Sequence, residues 1–400
     1  MSGLEILNWL LLLLAIAVSI PLLVFSLEVF LALWPRKSRR LDSVKFSGRA
    51  VILMPAHNEE AVIGDTLASL MPTLGAHCNV LVIADNCSDR TAQLAREAGA
   101  EVLERFNTEL RGKGYALQYG LDHLAQNPPE IVLVIDADCQ VDPELVHRLI
   151  AEVATTGQPA QAYAHFMAPA GTARLNAVSE LALKFRGLIR PLGALRLGAP
   201  CQLYGTGMAF PWQALVDVPW GGDHLVEDLQ FGIDLLLKGY RPRFCPEVSV
   251  RSDLPTTVAG FQSQRTRWEQ GHLQVLTSQS PRLLWGALRQ GSGSLLWAAL
   301  DLLVPPLALL VLVWLAVAAL ASGAWGLGAG TLPLLVMSCS GTLLLLALLT
   351  GWWTFCRQEI PLRVLLSAPW YVARKVPMYL RILFRPERRW VRTPRDAAST

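Results

Sequence analysis

The sequence has few charged residues and no cysteine pair spaced to bind zinc. Charged side chains make up 17% of its 400 residues and hydrophobic ones 52%, whereas an ordinary soluble domain is roughly 25% charged. A net charge of +3 is too small to indicate a nucleic-acid-binding protein. The seven cysteines fit reduced cytosolic thiols better than a disulfide framework. The composition excludes a disordered chain and argues against a purely soluble one.

Two long stretches, one near each end of the sequence, contain no Asp, Glu, Lys or Arg. The first, Ile6–Leu27, could cross a hydrocarbon core of about 30 Å as a helix. It lacks the basic start and short apolar core of a cleaved signal peptide, so we interpret it as an uncleaved anchor. The second, Leu302–Cys356, has room for two crossings, near 294–320 and 332–355, joined by a glycine-rich turn at 321–330. Three crossings are therefore predicted.

Basic residues set the predicted orientation. Four cations lie within residues 36–40, and the positive-inside rule places them on the cytoplasmic side of the membrane. The N-terminus should then lie outside, with the following domain and the C-terminus inside. Residues 360–384 are apolar but carry four cations, which favours an amphipathic helix on the membrane surface, with a fourth crossing as the alternative. Residues 172–200 and 257–276 are also predicted to contact membrane lipids at that surface.

Between the apolar stretches, short apolar runs alternate with helical periodicity. The runs at 50–54, 79–84 and 131–135 are typical of buried strands. This order predicts an α/β fold with a mainly parallel, Rossmann-like sheet and helices on both faces. We divide the chain into four parts: an anchor with a basic linker (1–47), a cytoplasmic α/β domain (48–255), an interfacial helical region (256–293), and two crossings with a basic amphipathic tail (294–400).

Each predicted strand is followed by polar residues. Glu59 follows the first strand, Asp85 the second, and Asp136 with Asp138 the third. Because ligands of open α/β sheets bind at the carboxyl ends of the strands, these residues should meet in one crevice. Two carboxylates one residue apart can bind a divalent cation such as Mg²⁺ or Mn²⁺. The alternative is that they only cap a turn after the strand. The spacing alone does not identify the ligand.

Five motifs occur in a characteristic order. They are Val51–Glu60 (VILMPAHNEE), Ala84-Asp85-Asn86, Asp136-Ala137-Asp138, Glu227-Asp228 and Gln264-Arg265-Thr266-Arg267-Trp268. With the flanking apolar stretches, they resemble the membrane-integrated family 2 glycosyltransferases, a group that includes cellulose, chitin and hyaluronan synthases, bacterial exopolysaccharide enzymes and ceramide glucosyltransferases. The resemblance covers residues 50–275 and implies the GT-A fold of that family.

The resemblance also implies roles for the matching positions. Seven positions match donor-binding residues: Ala56, Glu59, Asp85, Lys113, Asp136, Gln264 and Arg267. Four match the acceptor side: Trp268, Gly205, Thr206 and Gly207. Two match metal ligands, Asp136 and Asp138, and two match catalytic carboxylates, Glu227 and Asp228. Asp85 is expected to face the uracil of a UDP-sugar, and Asp228 to act as the general base. In one departure from the family, Val226 stands where the family has the threonine of Thr-Glu-Asp.

The function implied is that of an inverting, metal-dependent glycosyltransferase. It would use a nucleotide-sugar donor, UDP-linked, to extend a polysaccharide or a lipid-linked glycan at the cytoplasmic membrane face. Three crossings are few for a channel that secretes a polymer, so a homo-oligomer or a secretion partner is expected in that case. Non-processive transfer of one sugar to a polyprenyl-diphosphate or sphingolipid acceptor is the alternative. A non-catalytic membrane scaffold or receptor with the same fold is a third hypothesis, which the intact motifs disfavour.

Overall fold

The computed structural model describes residues 2–35, 44, 46–167, 174–221, 226–254 and 257–384. This part of the chain falls into two compact units, which are described separately here. The helical unit takes its residues from 1–35, 172–198 and 272–387, and the sheet unit from 36–171 and 199–271.

Eight strands form one sheet in the sheet unit. They are β1 (Ala50–Ala56), β2 (Cys78–Asp85), β3 (Glu101–Arg105), β4 (Ile131–Val134), β5 (Cys139–Val141), β6 (Ala160–Met167), β7 (Met208–Pro211) and β8 (Arg243–Asp253). Their order across the sheet is β3-β2-β1-β4-β7-β6-β8-β5. Parallel pairs are β1–β2, β1–β4, β2–β3 and β6–β8, whereas β4–β7, β6–β7 and β5–β8 are antiparallel. The predicted α/β fold with a mainly parallel sheet is confirmed.

The helices complete both units. In chain order they are α1 (Gly3–Ala32), α2 (Ile63–Leu70), α3 (Thr91–Glu97), α4 (Lys113–Leu124), α5 (Leu145–Thr156), α6 (Arg174–Lys184), α7 (Arg190–Arg196), α8 (Trp212–Asp217), α9 (Glu227–Leu237), α10 (Val258–Gln290), α11 (Gly293–Leu302), α12 (Leu307–Gly326), α13 (Leu332–Phe355), α14 (Leu362–Leu365) and α15 (Ala368–Phe384). A π-helical turn, Phe185–Ile189, joins α6 to α7.

Both faces of the sheet are buried. Side chains alternate along β1, so that Ile52 and Met54 pack on one face and Val51 and Leu53 on the other. Apolar residues of α2 and α5 cover the first face, and those of α4 and α9 cover the second. A strand that is buried on both faces needs apolar side chains at every position, which explains the uninterrupted apolar sequence of β1.

Three helices of the helical unit, α1, α12 and α13, are long and apolar enough to cross a membrane. Among the described residues this is the predicted number. The second crossing was predicted to start near residue 294. This start is wrong, because Pro305-Pro306 interrupts the helix and residues 293–302 form the separate helix α11. Proline has no amide hydrogen and its ring blocks the preceding helical turn. The basic amphipathic helix α15, with 17 residues, is not among the three.

Residues 174–196 pack within the helical unit. Arg190, at the start of α7, is buried and pairs with Glu28 of α1 and Asp301 of α11. A Cβ atom at Gly193 would lie 1.9 Å from the carbonyl oxygen of Glu28, so that only glycine allows α7 to approach α1 this closely. The buried arginine needs carboxylate partners, which Glu28 and Asp301 supply. The membrane-surface position of residues 172–200 stays a prediction.

Candidate active site

The carboxyl ends of three parallel strands meet at one edge of the sheet. β1 ends at Ala56, which pairs in register with Ala84, and β2 ends one residue later at Asp85. β4, on the other side of β1, ends at Val134, two residues before Asp136. The polar residues that follow the three strands are therefore gathered at this edge, where open α/β sheets bind ligands.

Asp85 is held by an arginine that the sequence analysis did not identify. Its side chain is 9% exposed, and Oδ1 accepts a hydrogen bond of 2.6 Å from Nη1 of Arg105. The same oxygen accepts a bond of 3.0 Å from Nδ2 of Asn86. Arg105 also donates to the carbonyl oxygen of Leu110 at 2.7 Å. Because Asp85 and Arg105 are register partners on β2 and β3, the strand pairing itself brings this ion pair together.

The loops after β1 and β2 fold against each other. Asn58 and Asn86 both have positive φ, 55° and 51°, a conformation that asparagine tolerates better than most residues. Oδ1 of Asn58 accepts a bond of 2.8 Å from the backbone N–H of Ser88, and the N–H of Glu59 donates to Oγ1 of Thr91 at 2.8 Å. These bonds fix the Glu59 backbone at the rim of the crevice next to Asp85.

Lys113 lies at the centre of the site rather than at its rim. It is the first residue of α4, and Gly112 before it has a φ of 131° that favours glycine. The ammonium group donates to Oδ1 of Asp136 and, at 2.8 Å, to the carbonyl oxygen of Gly205. Burial alone would lower the pKa of Lys113, but the charges of Asp136 and Glu227 outweigh burial and raise that pKa above its usual value. Lys113 is therefore positively charged at neutral pH.

Asp136 and Asp138 form the group best suited to a divalent cation. Together with Cys139 they offer ligand atoms that lie within 4.8 Å of one another. The Asp136 N–H donates to Oγ1 of Thr206 at 3.1 Å, which fixes the turn that presents both carboxylates. Carboxylate oxygens fit Mg²⁺ or Mn²⁺.

Cys139 is a neighbour of this group that the sequence analysis missed. Its Sγ lies 3.7 Å from Oδ1 of Asp138 and 3.5 Å from Oγ1 of Thr206. Burial, followed by the charges of Asp138 and Asp136, holds the pKa of the Cys139 thiol well above its usual range. In the absence of a metal ion, the thiol is therefore protonated and donates a weak hydrogen bond to Asp138.

Glu227 and Asp228 are the first two residues of α9. Oδ1 of Asp228 accepts a bond of 2.8 Å from the N–H of Leu229, and the partial positive charge of a helix N-terminus stabilises carboxylates. Burial and the neighbouring Asp228 raise the pKa of Glu227 to about 7, although Lys113 and Arg267 act in the opposite direction. Two adjacent carboxylates thus have different environments, which is one way in which acid and base roles are separated.

Gly205 lies close to both Asp228 and Lys113. A Cβ atom at this glycine, whose φ is 83°, would lie 3.2 Å from Oδ2 of Asp228 and 3.4 Å from Nζ of Lys113. Gly207 has a φ of 63° and no room for a Cβ, which would lie 2.6 Å from a Val250 methyl group. The glycines of this loop therefore let backbone approach the carboxylates where a side chain would intrude.

The first part of α10 carries Gln264, Arg267 and Trp268. The Trp268 ring lies 5.0 Å from that of Phe166, near the end of β6, with the planes inclined at 57°. Arg267 is close enough to lower the pKa of Glu227. Within the described residues, Oε1 of Gln264 is buried and accepts no hydrogen bond. Phe166 was missed because no sequence signal relates β6 to α10.

The arrangement brings together most of the residues expected to act. Lys113, Asp136, Thr206 and Gly205 are joined by contacts, with Asp228 against the Gly205 backbone. Asp85 lies at the neighbouring strand end with Arg105. Such a set can bind an anionic donor, hold a cation and deprotonate a hydroxyl group within one site.

Comparisons with known proteins decide the family. The family model for glycosyl transferase family group 2 matches residues 131–383, more than half of the chain. The model for glycosyl transferase family 2 matches residues 51–193. The chain belongs to the family 2 glycosyltransferases. The resemblance noted from the five motifs is thereby confirmed, as is the prediction that the protein is an enzyme of the glycosyltransferase class.

Relatives of this glycosyltransferase include polysaccharide synthases. It is 28% identical over 243 residues to poly-beta-1,6-N-acetyl-D-glucosamine synthase of Staphylococcus aureus, covering 56% of this chain and 54% of the relative. A probable glycosyltransferase of Bacillus subtilis is 24% identical over 260 residues, covering 59% and 58%. The chain thus spans little more than half the length of the curated relatives it matches.

A solved structure supports the fold of this glycosyltransferase. The mannosyltransferase of Pyrobaculum calidifontis, solved with GDP-mannose and Mn²⁺, has a TM-score of 0.59 and 19% identity, covering 94% of this chain and all of that one. The GT-A fold implied by the motifs is confirmed, and the described residues include three helices long and apolar enough to span a membrane, as predicted.

Proposed function

We propose that this glycosyltransferase transfers a sugar, with inversion, from a UDP-linked donor to a growing glycan or lipid-linked acceptor at the cytoplasmic face of a bacterial inner membrane. The observation that carries the proposal is the grouping of Lys113, Asp136 and Asp228 around the Gly205 backbone. A single displacement needs a stabilised leaving diphosphate and a base beside the acceptor hydroxyl. This grouping offers both within one site.

The donor pocket is proposed to run along the ends of β1 and β2. Ala56 and the backbone of Glu59 would line it, and Asp85 would accept hydrogen bonds from the uracil. Because Arg105 donates to Oδ1 of Asp85, it holds the carboxylate in one orientation. Lys113 and Arg267 would bind the diphosphate, since both present N–H donors to anionic oxygens.

Asp136 and Asp138 are proposed to hold Mg²⁺ or Mn²⁺. Their fit to such an ion rests on two hard oxygen donors that lie within 4.8 Å of each other, on a turn fixed by Thr206. When bound, the ion would neutralise charge that develops on the leaving diphosphate. The Mn²⁺ and GDP-mannose in the mannosyltransferase that shares this fold support the proposal.

The acceptor is proposed to lie between α9 and the start of α10. Asp228 would take the proton from the acceptor hydroxyl, and Glu227 beside it would tune the local charge. The inclined rings of Trp268 and Phe166 offer apolar faces on which a sugar can stack. Gly205, Thr206 and Gly207 would present backbone groups to the same sugar. The buried Oε1 of Gln264, which matches a donor-binding position, would accept a hydrogen bond from a hydroxyl group of the donor sugar.

The product is proposed to be a polysaccharide. The Staphylococcus aureus relative polymerises N-acetylglucosamine through β-1,6 linkages, so a UDP-linked N-acetylhexosamine is the first donor to test. The second candidate is transfer of a single sugar to a polyprenyl-diphosphate or sphingolipid acceptor, which fits the three long apolar helices of the described residues because three are few for a secretion channel. A homo-oligomer or a secretion partner is expected only if the product is a secreted polymer. The apolar helices α1, α12 and α13 support a membrane location.

The test uses the full chain in lipid nanodiscs with a panel of UDP-sugars and Mg²⁺ or Mn²⁺. Nucleotide release and product mass are measured for the wild type, for Asp228→Asn and for Asp65→Asn, which removes an exposed carboxylate of α2. We expect one donor to be consumed, with release reduced at least about 100-fold in Asp228→Asn and unchanged in Asp65→Asn. A ladder of masses would indicate a polymer, and a single addition the second candidate. No release with any donor, even with membrane lipids added as acceptors, would refute the proposal.

A further inference from the structure

The ammonium group of Lys113 lies on the same carboxylate that the proposed metal site needs. It donates to Oδ1 of Asp136, and the two side chains are 23% and 31% exposed. Asp136 is also one of the three residues whose ligand atoms lie within 4.8 Å of one another. The ammonium group of Lys113 and the proposed metal ion therefore share one carboxylate, that of Asp136.

The two cations would compete for this carboxylate. Asp136, Asp138, Glu227 and Asp228 supply carboxylates, and Lys113 is the cation that the charges of Asp136, Glu227 and Asp228 stabilise. A divalent ion on Asp136 would lie within contact distance of an ammonium group, and like charges at such separations repel by roughly several kcal/mol where water is partly excluded. We therefore expect the bound ion to displace the ammonium group of Lys113 from Asp136.

Lys113 has somewhere to go when a nucleoside diphosphate is present. Its stem has four flexible carbons, and its Nζ already donates to the Gly205 carbonyl oxygen, next to Asp228. An anionic diphosphate at this place would offer oxygens equivalent to the carboxylate oxygen that Lys113 loses. Without a diphosphate, the ammonium group would keep the Gly205 carbonyl oxygen and the nearby charges of Glu227 and Asp228.

We propose that Lys113 is a built-in counter-cation that occupies Asp136 until a nucleoside diphosphate draws its ammonium group away, so that the divalent ion and the nucleotide bind cooperatively. The inference rests on the proposed function, because it assumes a metal at Asp136 and Asp138. Lys113 is in this respect a positioning residue as well as a diphosphate ligand. By linkage, the nucleotide must tighten metal binding by the same factor by which the metal tightens nucleotide binding.

The experiment measures Mn²⁺ binding to the full chain in nanodiscs by the loss of the free-ion paramagnetic resonance signal, with and without UDP. The variants are Lys113→Met, Lys113→Arg and Lys238→Met. The last removes an exposed lysine after α9 and changes the net charge by the same amount. Tryptophan fluorescence during heating checks that each variant is folded.

In the wild type we expect UDP to tighten Mn²⁺ binding about tenfold or more. Lys113→Met should bind Mn²⁺ alone about tenfold more tightly than the wild type, and UDP should then add little. Lys113→Arg, which keeps the cation, and Lys238→Met should behave like the wild type. If a folded Lys113→Met bound Mn²⁺ alone no more tightly than the wild type, the counter-cation role would be refuted while the metal site stood. If Mn²⁺ bound no variant with or without UDP, both the inference and the proposed metal dependence would be wrong.

Discussion

Removing the guanidinium group of Arg190 should destabilise the helical unit strongly. Nε of Arg190 donates to Oε2 of Glu28 at 2.5 Å, and Nη2 donates to the side chain of Asp301 and to its carbonyl oxygen at 3.0 Å. The side chain of Glu28 is fully buried, that of Arg190 is 8% exposed and that of Asp301 is 14% exposed. One cation thus serves two carboxylates on different helices.

The magnitude follows from what Arg190→Met leaves behind. Removing one partner of a buried ion pair costs about 3–5 kcal/mol, because the remaining charge is uncompensated. Here both carboxylates lose their partner, although Asp301 keeps some contact with solvent. We therefore expect the free energy of unfolding to fall by about 4 kcal/mol. At roughly 2–4 °C per kcal/mol for a unit of this size, the unfolding midpoint should fall by about 8–16 °C.

The assay is intrinsic tryptophan fluorescence of the full chain during heating in nanodiscs. Arg289→Met is the matched control, because Arg289 is an exposed arginine of the same unit, and exposed substitutions usually change stability by less than about 0.5 kcal/mol. The triple variant with Arg190→Met, Glu28→Gln and Asp301→Asn removes the stranded charges and should recover much of the loss. An Arg190→Met midpoint equal to that of Arg289→Met, or a triple variant less stable than Arg190→Met alone, would refute the reasoning.

Three further outcomes are expected. Gly207→Ala should cost more stability than Gly157→Ala, measured by thermal unfolding, because both glycines have a φ of 63° but only the first meets a side chain within 3 Å; equal costs would contradict the clash. The stability contribution of Glu227, whose pKa is raised to about 7, should be fully present below its ordinary pKa of 4.5 and be lost as the pH rises to about 7. The free energy of unfolding of Glu227→Gln should therefore rise relative to that of the wild type between pH 4.5 and about 7. Parallel pH profiles of stability for the two proteins would contradict the raised pKa. Arg105→Met should weaken UDP binding about tenfold by calorimetry, since Asp85 loses its partner, and unchanged affinity would exclude an orienting role.

The sequence was sufficient to predict the fold and the edge of the sheet that carries the site. Parallel strands that are buried on both faces appear as uninterrupted apolar runs, and β1, β2 and β4 have that signature. Because such strands point the same way, the residues after each of them must meet at one edge. The convergence of Asp85 and Asp136 therefore follows from chain direction and needs no knowledge of side-chain packing.

The partners of those residues could not be predicted in the same way. β3 is short and mostly exposed or half-buried, with the pattern Glu-Val-Leu-Glu-Arg, so nothing in its sequence distinguishes it from a loop. Without β3 in the sheet, Arg105 has no reason to be placed beside Asp85. Phe166 and Trp268 present the same difficulty, since their contact joins elements about a hundred residues apart and depends on how α10 packs. Pairing across strands and between distant helices is a tertiary property.

The packing of residues 174–196 shows where periodicity alone is ambiguous. A helix that lies on a membrane surface and a helix that packs among other helices both need one apolar face, so the same pattern predicts either. The difference lies in the cations. On a surface, an arginine can reach water or lipid phosphates, whereas Arg190 is buried and requires carboxylates that lie more than a hundred residues away in either direction. Glu28 directly follows the first apolar stretch and Asp301 directly precedes the second. When a sequence has an acid beside an apolar stretch and an arginine on an amphipathic helix, the two should therefore be considered as a possible ion pair. Arg190→Met and the triple variant test whether the ion pairs of Arg190 hold these helices together.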